Sequence, residues 1–439
     1  MSNILKNSII SFSFKIAIFI FGFIISVILA RALGPTGRGI YALIILIPTI
    51  MLRLGSFGIE AASVYFTGSK QYKIQDIVSN SLLSSIIISL TLILIFFGIS
   101  NLDIFNNFIQ ANQINLIYLW LVILTIPLSL LHGFLRYIFL GKEEIIIFNK
   151  ISIFFTIIQL IAIIIFVLIF RQGVFGAIIS YVLANICIAI FVIFLVKKFA
   201  NIKTYYNKKL FKESIKYGLK AYFGNLAQFL NYRLDMFLVA IFLTPAAVGY
   251  YSISVGIAER IWMLPGAFAS VLFPRISSLK SVESNNLTPR ISRHTFFITI
   301  FLSLILAILA KPLIKLFFGI TFLPSLIPLL VLLPGIIALS VSKVLTADLA
   351  GRGKPQYGTY SSFVSLALNI PLNLWLIPRW GISGAAFATT VAYTIATLLV
   401  INFFTKISNK SYFEILVIKK QDLQEYRKIL VNIKNRIVK

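Results

Sequence analysis

The chain has 439 residues, 59% of them hydrophobic and 12% charged. Soluble domains carry about 25% charged residues, and apolar runs recur here from end to end, which excludes a soluble domain on a single anchor and indicates a polytopic membrane protein. The net charge of +27 comes from 40 Lys and Arg against 13 acids; its placement along the chain reads as membrane topology and not as a nucleic-acid footprint.

The first apolar run, residues 9–29, exceeds the about 7–15 residues of a signal-peptide core, although Ala30-Arg31-Ala32 loosely mimics a cleavage site. It is read as a spanning helix that stays. Twelve transmembrane helices are expected, near 9–33, 39–66, 77–100, 114–140, 147–170, 173–196, 216–243, 247–276, 291–318, 322–350, 357–378 and 381–405. Each supplies the roughly 20 residues that a 30 Å hydrocarbon core demands. The longer ones must tilt or protrude. Pro48, Pro127, Pro265, Pro328, Pro334 and Pro371 interrupt helices as hinges or packed kinks. The single Cys187 excludes an intramolecular disulfide.

Connections after even-numbered helices hold eighteen Lys and Arg, eight of them between Lys197 and Lys220; those after odd-numbered helices hold six. Positive loops stay in the cytoplasm, so both termini are expected inside. After Thr405, Leu423, Tyr426, Leu430, Ile433 and Ile437 recur at three- and four-residue steps among Lys and Arg. That pattern predicts a basic amphipathic helix within the 406–439 tail, lying on the acidic inner leaflet.

The chain repeats itself. At a shift of 210, GPTGRGIY (34–41) falls on TPAAVGYY (244–251), matching Pro35 with Pro245, Gly39 with Gly249 and Tyr41 with Tyr251. RQGVFGA (171–177) matches RWGISGA (379–385) at 208, and Gly141-Lys142 matches Gly353-Lys354 at 212. Turn residues in one order at nearly one shift indicate two copies of a six-helix unit. Six is even, so both copies insert the same way up, related by a pseudo-twofold axis along the membrane normal around a central cavity. The expected organisation is a lobe at 1–196, a basic cytoplasmic linker at 197–215, a second lobe at 216–405 and the tail at 406–439.

Charges inside spans are the candidate functional residues, because each costs about 2.5–3.5 kcal/mol even on a lenient insertion scale. In NYRLDMFLVA (231–240), Arg233 and Asp235 point about 200° apart on a helix and cannot pair with each other. Asp235 lies about 12 Å, and Glu259 with Arg260 about 18–20 Å, below the outer surface at 1.5 Å per residue. Pairing of Asp235 with Arg260, or Arg233 with Glu259, is one answer to the cost. The other is a water-filled cavity whose surplus cations serve a ligand. Lys15, Arg53, Arg233 and Arg260 stand against Asp235, Glu259 and Glu60 as coupling or structural acids. Arg53 maps by the repeat to within a turn of Arg260, so the two would face each other across the axis and fork onto an anionic headgroup such as a pyrophosphate. Arg136 maps onto Asp348 at the 212 shift, which suggests a cytoplasmic gate.

The chemistry of an enzyme is missing. No paired-carboxylate site, metal-ligand cluster or Gly-rich phosphate loop can be read, and the longest outer loop, 101–113, is short. No cofactor is expected, and transport would run on an ion gradient or downhill.

ILARALGPTGRGIYAL (28–43), LGSFGIEAA (54–62) and NYRLDMFLVAIFLTPAAVGYYSISVGIAERIWMLPGAFASVLFPRIS (231–277) resemble the bacterial polysaccharide or O-antigen flippases of the Wzx type, within the multidrug/oligosaccharidyl-lipid/polysaccharide exporter superfamily. The resemblance implies a flippase that moves an undecaprenyl-pyrophosphate-linked oligosaccharide from the cytoplasmic to the outer leaflet of the bacterial inner membrane, by ion-coupled alternating access. It implies a proton or sodium gradient as the driving force, a cationic cavity, and membrane lipids and a glycan polymerase with assembly proteins as partners; no nucleic acid partner is expected from the charge placement. On a motif match it carries over only Arg233 and Asp235. Room for twelve helices, where some relatives have fourteen, argues against the lipid II flippases. The alternatives are a multidrug and toxin extrusion cation antiporter, which wants deep acids in the first lobe, and a membrane scaffold or glycan polymerase.

Overall fold

The computed structural model describes residues 2–200, 205–279, 281–419 and 422, with the backbone alone at 2–10, 221, 281 and 282. All regular structure among them is helical. In chain order the helices are α1 (Ser2–Gly55), α2 (Ile59–Ser69), α3 (Ile74–Ser100), α4 (Asp103–Ala111), α5 (Leu116–Ile123), α6 (Ile126–Gly141), α7 (Ile145–Ile163), α8 (Gly173–Lys197), α9 (Lys208–Phe242), α10 (Pro245–Ala258), α11 (Met263–Ser278), α12 (Ser281–Leu313), α13 (Leu326–Gly351), α14 (Gln356–Ser408) and α15 (Tyr412–Leu416). Helices satisfy every backbone donor and acceptor internally, which a segment in hydrocarbon must do. Nine stretches among the described residues are long and apolar enough to cross a membrane, so the protein is a multi-pass membrane protein. Large apolar side chains such as Leu94, Ile308 and Leu316 stay exposed, as lipid-facing positions do.

Two of the nine stretches run 45 and 53 residues, and each contains a kink. At Gly34 the backbone takes φ 66°, and at Gly381 φ 58°. A Cβ would be strained at either, so glycine ends the helical run there. Gly34 directly follows the predicted end at 33, and Gly381 is the first residue of the predicted helix 381–405. α9 is not among the nine, because five lysines, Glu213, Arg233 and Asp235 interrupt its apolar character.

Elsewhere the structure corrects the expected spans. The predicted helix 39–66 breaks at Ser56–Gly58, where Phe57 and Gly58 are both left-handed with φ 45° and 73°. A Cβ on Gly58 would sit 2.7 Å from the Gly218 Cα, and one on Gly218 the same distance from the Gly58 carbonyl carbon. The break is therefore set by a backbone crossing between residues 160 apart, which periodicity does not register. The loop expected at 101–113 contains α4, and the helix expected at 114–140 is divided before Pro127 into α5 and α6. The helix expected at 247–276 is interrupted by a 3₁₀ turn at Glu259–Trp262. Much of the expected linker is ordered: α9 begins at Lys208, and the Asn80 side chain clamps Asn207 with two 2.8 Å hydrogen bonds.

By packing, the chain divides into two compact units: residues up to Ser252 with Ile314–Pro324, and Ile253–Leu313 with the residues from Ser325 onward. In the first, α2, α3, α6 and α8 enclose a core that includes Phe66, Val78, Leu135, Ile138 and Val192. The start of α9 is fastened to this unit. Tyr72 donates to Glu213 at 2.7 Å, Tyr65 stacks on Tyr217 at 4.3 Å, and Tyr222 donates to the Leu54 carbonyl. Segment 314–324 joins this unit through α1, where Phe23 meets Phe317 edge-on at 5.0 Å and Arg31 Nε donates to the Phe317 carbonyl at 2.7 Å.

Inside this unit the repeat becomes a contact. Pro35 and Gly39 lie against Pro245 and Gly249, their equivalents at the 210 shift. A Cβ on Gly39 would collide with the Pro245 carbonyl and lie 2.9 Å from the Gly249 nitrogen. A Cβ on Gly249 would collide with the Pro35 carbonyl and lie 3.2 Å from the Gly39 nitrogen. The two copies of Pro-x-x-x-Gly cross reciprocally, and glycine is what lets the backbones approach so closely.

In the second unit, α13 packs against α11, α12 and α14, and α15 packs on α12. Val341, Leu345, Phe404 and the fully buried Ile415 form one cluster there. Ser411 and Glu414 form a capping box that starts α15. Beyond it, Asp422 is 2% exposed and receives both Nε and Nη2 of Arg293, the latter at 2.8 Å, while Arg293 Nη1 donates to the Glu414 carbonyl. Residues 411–419 and Asp422 thus form a strap against α12. α14 runs on to Ser408, into the expected tail; Leu423, Tyr426, Leu430, Ile433 and Ile437, on which the expected amphipathic helix rests, lie outside the described residues.

Hydrogen bonds from Arg293 hold the Asp422 carboxyl down at about 2. A lowered carboxylate pKa contributes stability that is complete above the unfolded value, about 3.9, and fades as pH falls towards the folded one. Limited proteolysis is expected to find the strap protected from pH 8 down to about pH 4 and released below that. Release near pH 6 would contradict the pairing.

Candidate functional site

The break between α1 and α2 makes the site. On an unbroken helix Arg53 and Glu60 would stand two turns apart, about 10 Å along the axis. Turning at Ser56–Gly58 brings the Arg53 guanidinium to 3.6 Å from the Glu60 carboxylate. Half of the Arg53 side chain remains exposed, and its guanidinium lies over the Phe229 ring at 5.7 Å.

Both residues line a cavity of about 280 Å³, all within the first unit. Its opposite wall is α9, which presents Tyr222, Asn225, Phe229 and Tyr232 at i, i+3, i+7 and i+10, one helical face. Gln228 lies beside them and donates to the Tyr232 hydroxyl at 3.1 Å. Gly58 and Gly218 close one end by the backbone crossing already described. Arg53 and Glu60 are the charged groups of the lining, one of each sign.

The other expected residues are placed as follows. Lys15 is exposed on α1. Arg233 turns back to its own helix, Nη1 donating to the Tyr232 carbonyl at 3.0 Å. Asp235 is 2% exposed; one carboxylate oxygen accepts the Tyr251 hydroxyl at 2.6 Å and the other the Met236 amide at 2.7 Å. Tyr251 is the third residue of the Gly-Tyr-Tyr turn, which reads as a repeat marker in sequence and acts here as a hydrogen-bond donor to a buried carboxylate. Glu259 and Arg260 sit on the 3₁₀ turn that follows α10, in the second unit. Of the expected set, the structure brings together Arg53 and Glu60.

The two residues of the expected gate each have partners of their own. Arg136 donates to Ser152 at 3.1 Å and lies over the Phe148 ring at 4.7 Å. Asp348 is fully buried, accepts from the Thr288 hydroxyl and forms an ion pair with Arg352, one turn along α13. Arg352 also donates to Asn285 at 2.7 Å. The sequence reading counts Arg352 only among the eighteen loop cations and does not name Thr288, although an i, i+4 Asp–Arg spacing is a signal it offers. Among the described residues no group of His, Cys, Asp and Glu could hold a metal ion.

The fold is shared with transporters. It matches a lipid II flippase, MurJ, in its inward closed conformation, at a TM-score of 0.77 over 90% of both chains with 19% identity. It also matches the Vibrio cholerae MATE transporter VcmN, in its bent form, at 0.60 over 93% of this chain and 98% of that one with 15% identity. In sequence, the chain is 27% identical over 175 residues to the probable low-salt glycan biosynthesis flippase Agl15 of Haloferax volcanii, and 26% over 183 residues to the probable flippase AglR of the same organism. These alignments cover 38% and 39% of this chain, and 36% and 38% of the relatives. The chain therefore spans little more than a third of the length of these curated relatives. A family model described as polysaccharide biosynthesis protein matches residues 4–280. With more than half of its length matched, on a fold found in flippases and transporters, the chain belongs to the polysaccharide biosynthesis protein family.

Proposed function

We propose that the protein is a flippase for a lipid-linked oligosaccharide. The observation that carries this reading is the polar cavity between the α1–α2 break and α9, in a membrane protein of a polysaccharide biosynthesis family. Lipid tails can stay in the bilayer while hydroxylated sugar crosses through such a cavity. In the finer form of the proposal, the carrier is undecaprenyl pyrophosphate, the membrane is a bacterial inner membrane with both termini in the cytoplasm, and a proton or sodium gradient drives the cycle. Lys15, Arg233 and Arg260 attract the anionic head and Asp235 and Glu259 balance them, while Arg53, paired with Glu60, lines the cavity and Arg136 and Asp348 serve the cytoplasmic gate. A glycan polymerase and assembly proteins would take over the product.

Alternating access on this reading needs twelve crossings in two lobes. The nine apolar stretches support that number when the two kinked ones are each taken as two crossings and α9 is added. The reciprocal contact of Pro35 and Gly39 with Pro245 and Gly249 supports a pseudo-twofold relation between the copies.

Disrupting the gene and identifying the lipid-linked intermediate by mass spectrometry, together with the leaflet it occupies, tests the proposal. A pyrophosphate-linked oligosaccharide held on the cytoplasmic side is expected. Complementation with Arg53→Ala or Arg260→Ala should leave it there, at normal protein levels in the membrane. Absence of the intermediate, with new sensitivity to cationic drugs, would establish the extrusion antiporter instead.

A further inference from the structure

The cavity at Arg53 has the wrong electrostatics for a pyrophosphate and the right surface for a sugar. A site for two phosphates needs surplus positive charge. Here the Glu60 carboxylate stands 3.6 Å from the Arg53 guanidinium, so the pair is close to neutral from outside. An incoming phosphate would meet Arg53's attraction and Glu60's repulsion at nearly the same distance, and the two largely cancel.

The rest of the lining is uncharged and aromatic. Tyr222 spends its hydroxyl on the Leu54 carbonyl, which fixes its ring beside Phe57 at 5.9 Å. Phe229 is placed under Arg53. Held rings offer flat apolar faces, which suit the C–H face of a pyranose. Asn225 is exposed to the cavity and makes no hydrogen bond with the described protein. Its amide can donate and accept at once, as neighbouring sugar hydroxyls require. Gln228 uses an N–H on Tyr232 and keeps its carbonyl oxygen for a ligand.

We infer that this cavity is the saccharide subsite, in which Asn225 and Gln228 read hydroxyls, Tyr222 and Phe229 carry the ring face, and the Arg53–Glu60 pair bridges a diol. The pyrophosphate is then held elsewhere, by cations outside this lining. The inference rests on the flippase reading and deepens it by separating sugar from phosphate within one substrate. Such a site selects glycans by hydroxyl pattern, because an exposed amide that bound sugar covers without giving it a partner is costly.

The test uses the purified full-length protein in detergent and two probes: the oligosaccharide released by mild acid from the host's own carrier lipid, and inorganic pyrophosphate. Calorimetry should show the oligosaccharide binding and saturating pyrophosphate failing to displace it. Asn225→Ala and Gln228→Ala should each weaken it about tenfold, the worth of one hydrogen bond. Asn225→Asp, which keeps size and loses the donor, should do the same, with melting temperatures unchanged because these side chains are exposed. Unaltered affinity in the variants, displacement by pyrophosphate, or no binding of the released oligosaccharide overturns the inference. If the disrupted strain traps a lipid-linked glycan and any of these occurs, the subsite alone is wrong. If it traps none, the flippase reading falls and the subsite with it.

Discussion

Gly39→Ala is expected to destabilise the purified protein by about 3 kcal/mol, the upper part of the usual range for overpacking. The added methyl would overlap the Pro245 carbonyl, which is backbone and has no rotamer to yield. Gly249→Ala should cost about as much, since its methyl would meet the Pro35 carbonyl in the mirrored position. The double variant should cost less than the two singles added together, because one separation of the helices relieves both collisions. Chemical or thermal unfolding in detergent measures all three. Neutral singles, or strict additivity, would show that the crossing is not a shared contact.

Arg352→Ala should cost about 3–5 kcal/mol, the usual penalty for leaving a buried charge without its partner. Asp348 is fully buried, and after that substitution Thr288 alone would remain beside it among the partners described. Asp348→Asn in the Arg352→Ala background should recover much of the loss by removing the orphaned charge. Arg136→Ala, whose guanidinium is held by Ser152 and aromatic rings, serves as a comparison, and the Asp348→Asn change should not rescue it. A loss under 0.5 kcal/mol in Arg352→Ala, the ordinary surface range, would mean that water reaches the Asp348 carboxylate.

These two sites also mark what was legible in the sequence. Apolar run lengths placed the spans, and glycines with neighbouring prolines placed their ends, as at Gly34 and Gly381. Such features are local, so a linear reading captures them. The repeat was legible through Pro35, Gly39, Pro245 and Gly249, but not that the matched residues touch. The break at Ser56–Gly58 was hidden because Gly218 enforces it from far along the chain. With the break went the approach of Glu60 to Arg53, and with that the charge balance of the cavity. Partners of buried acids were legible only in part, for a related reason. Formal charge drew attention to arginines for Asp235, whereas a tyrosine hydroxyl is one of its partners. The Asn225 and Gln228 amides carried no pattern at all until α9 was seen as one wall.

The fastening of α9 has a mechanical consequence. From Asn207 to Tyr222 the helix is riveted to α1, α2 and α3 at five successive points: Asn80, Tyr72, Tyr65, Gly58 and the Leu54 carbonyl. Near its far end α9 is held again, where the Asn112 amide donates to the Ala240 carbonyl at 3.0 Å, so it behaves as a beam supported at both ends. Flexing of such a beam is concentrated between its supports, along the stretch that carries Asn225, Phe229 and Arg233. Bending there would change the spacing of the cavity wall itself, so the compliant span of the beam and the lining of the cavity share the same dozen residues.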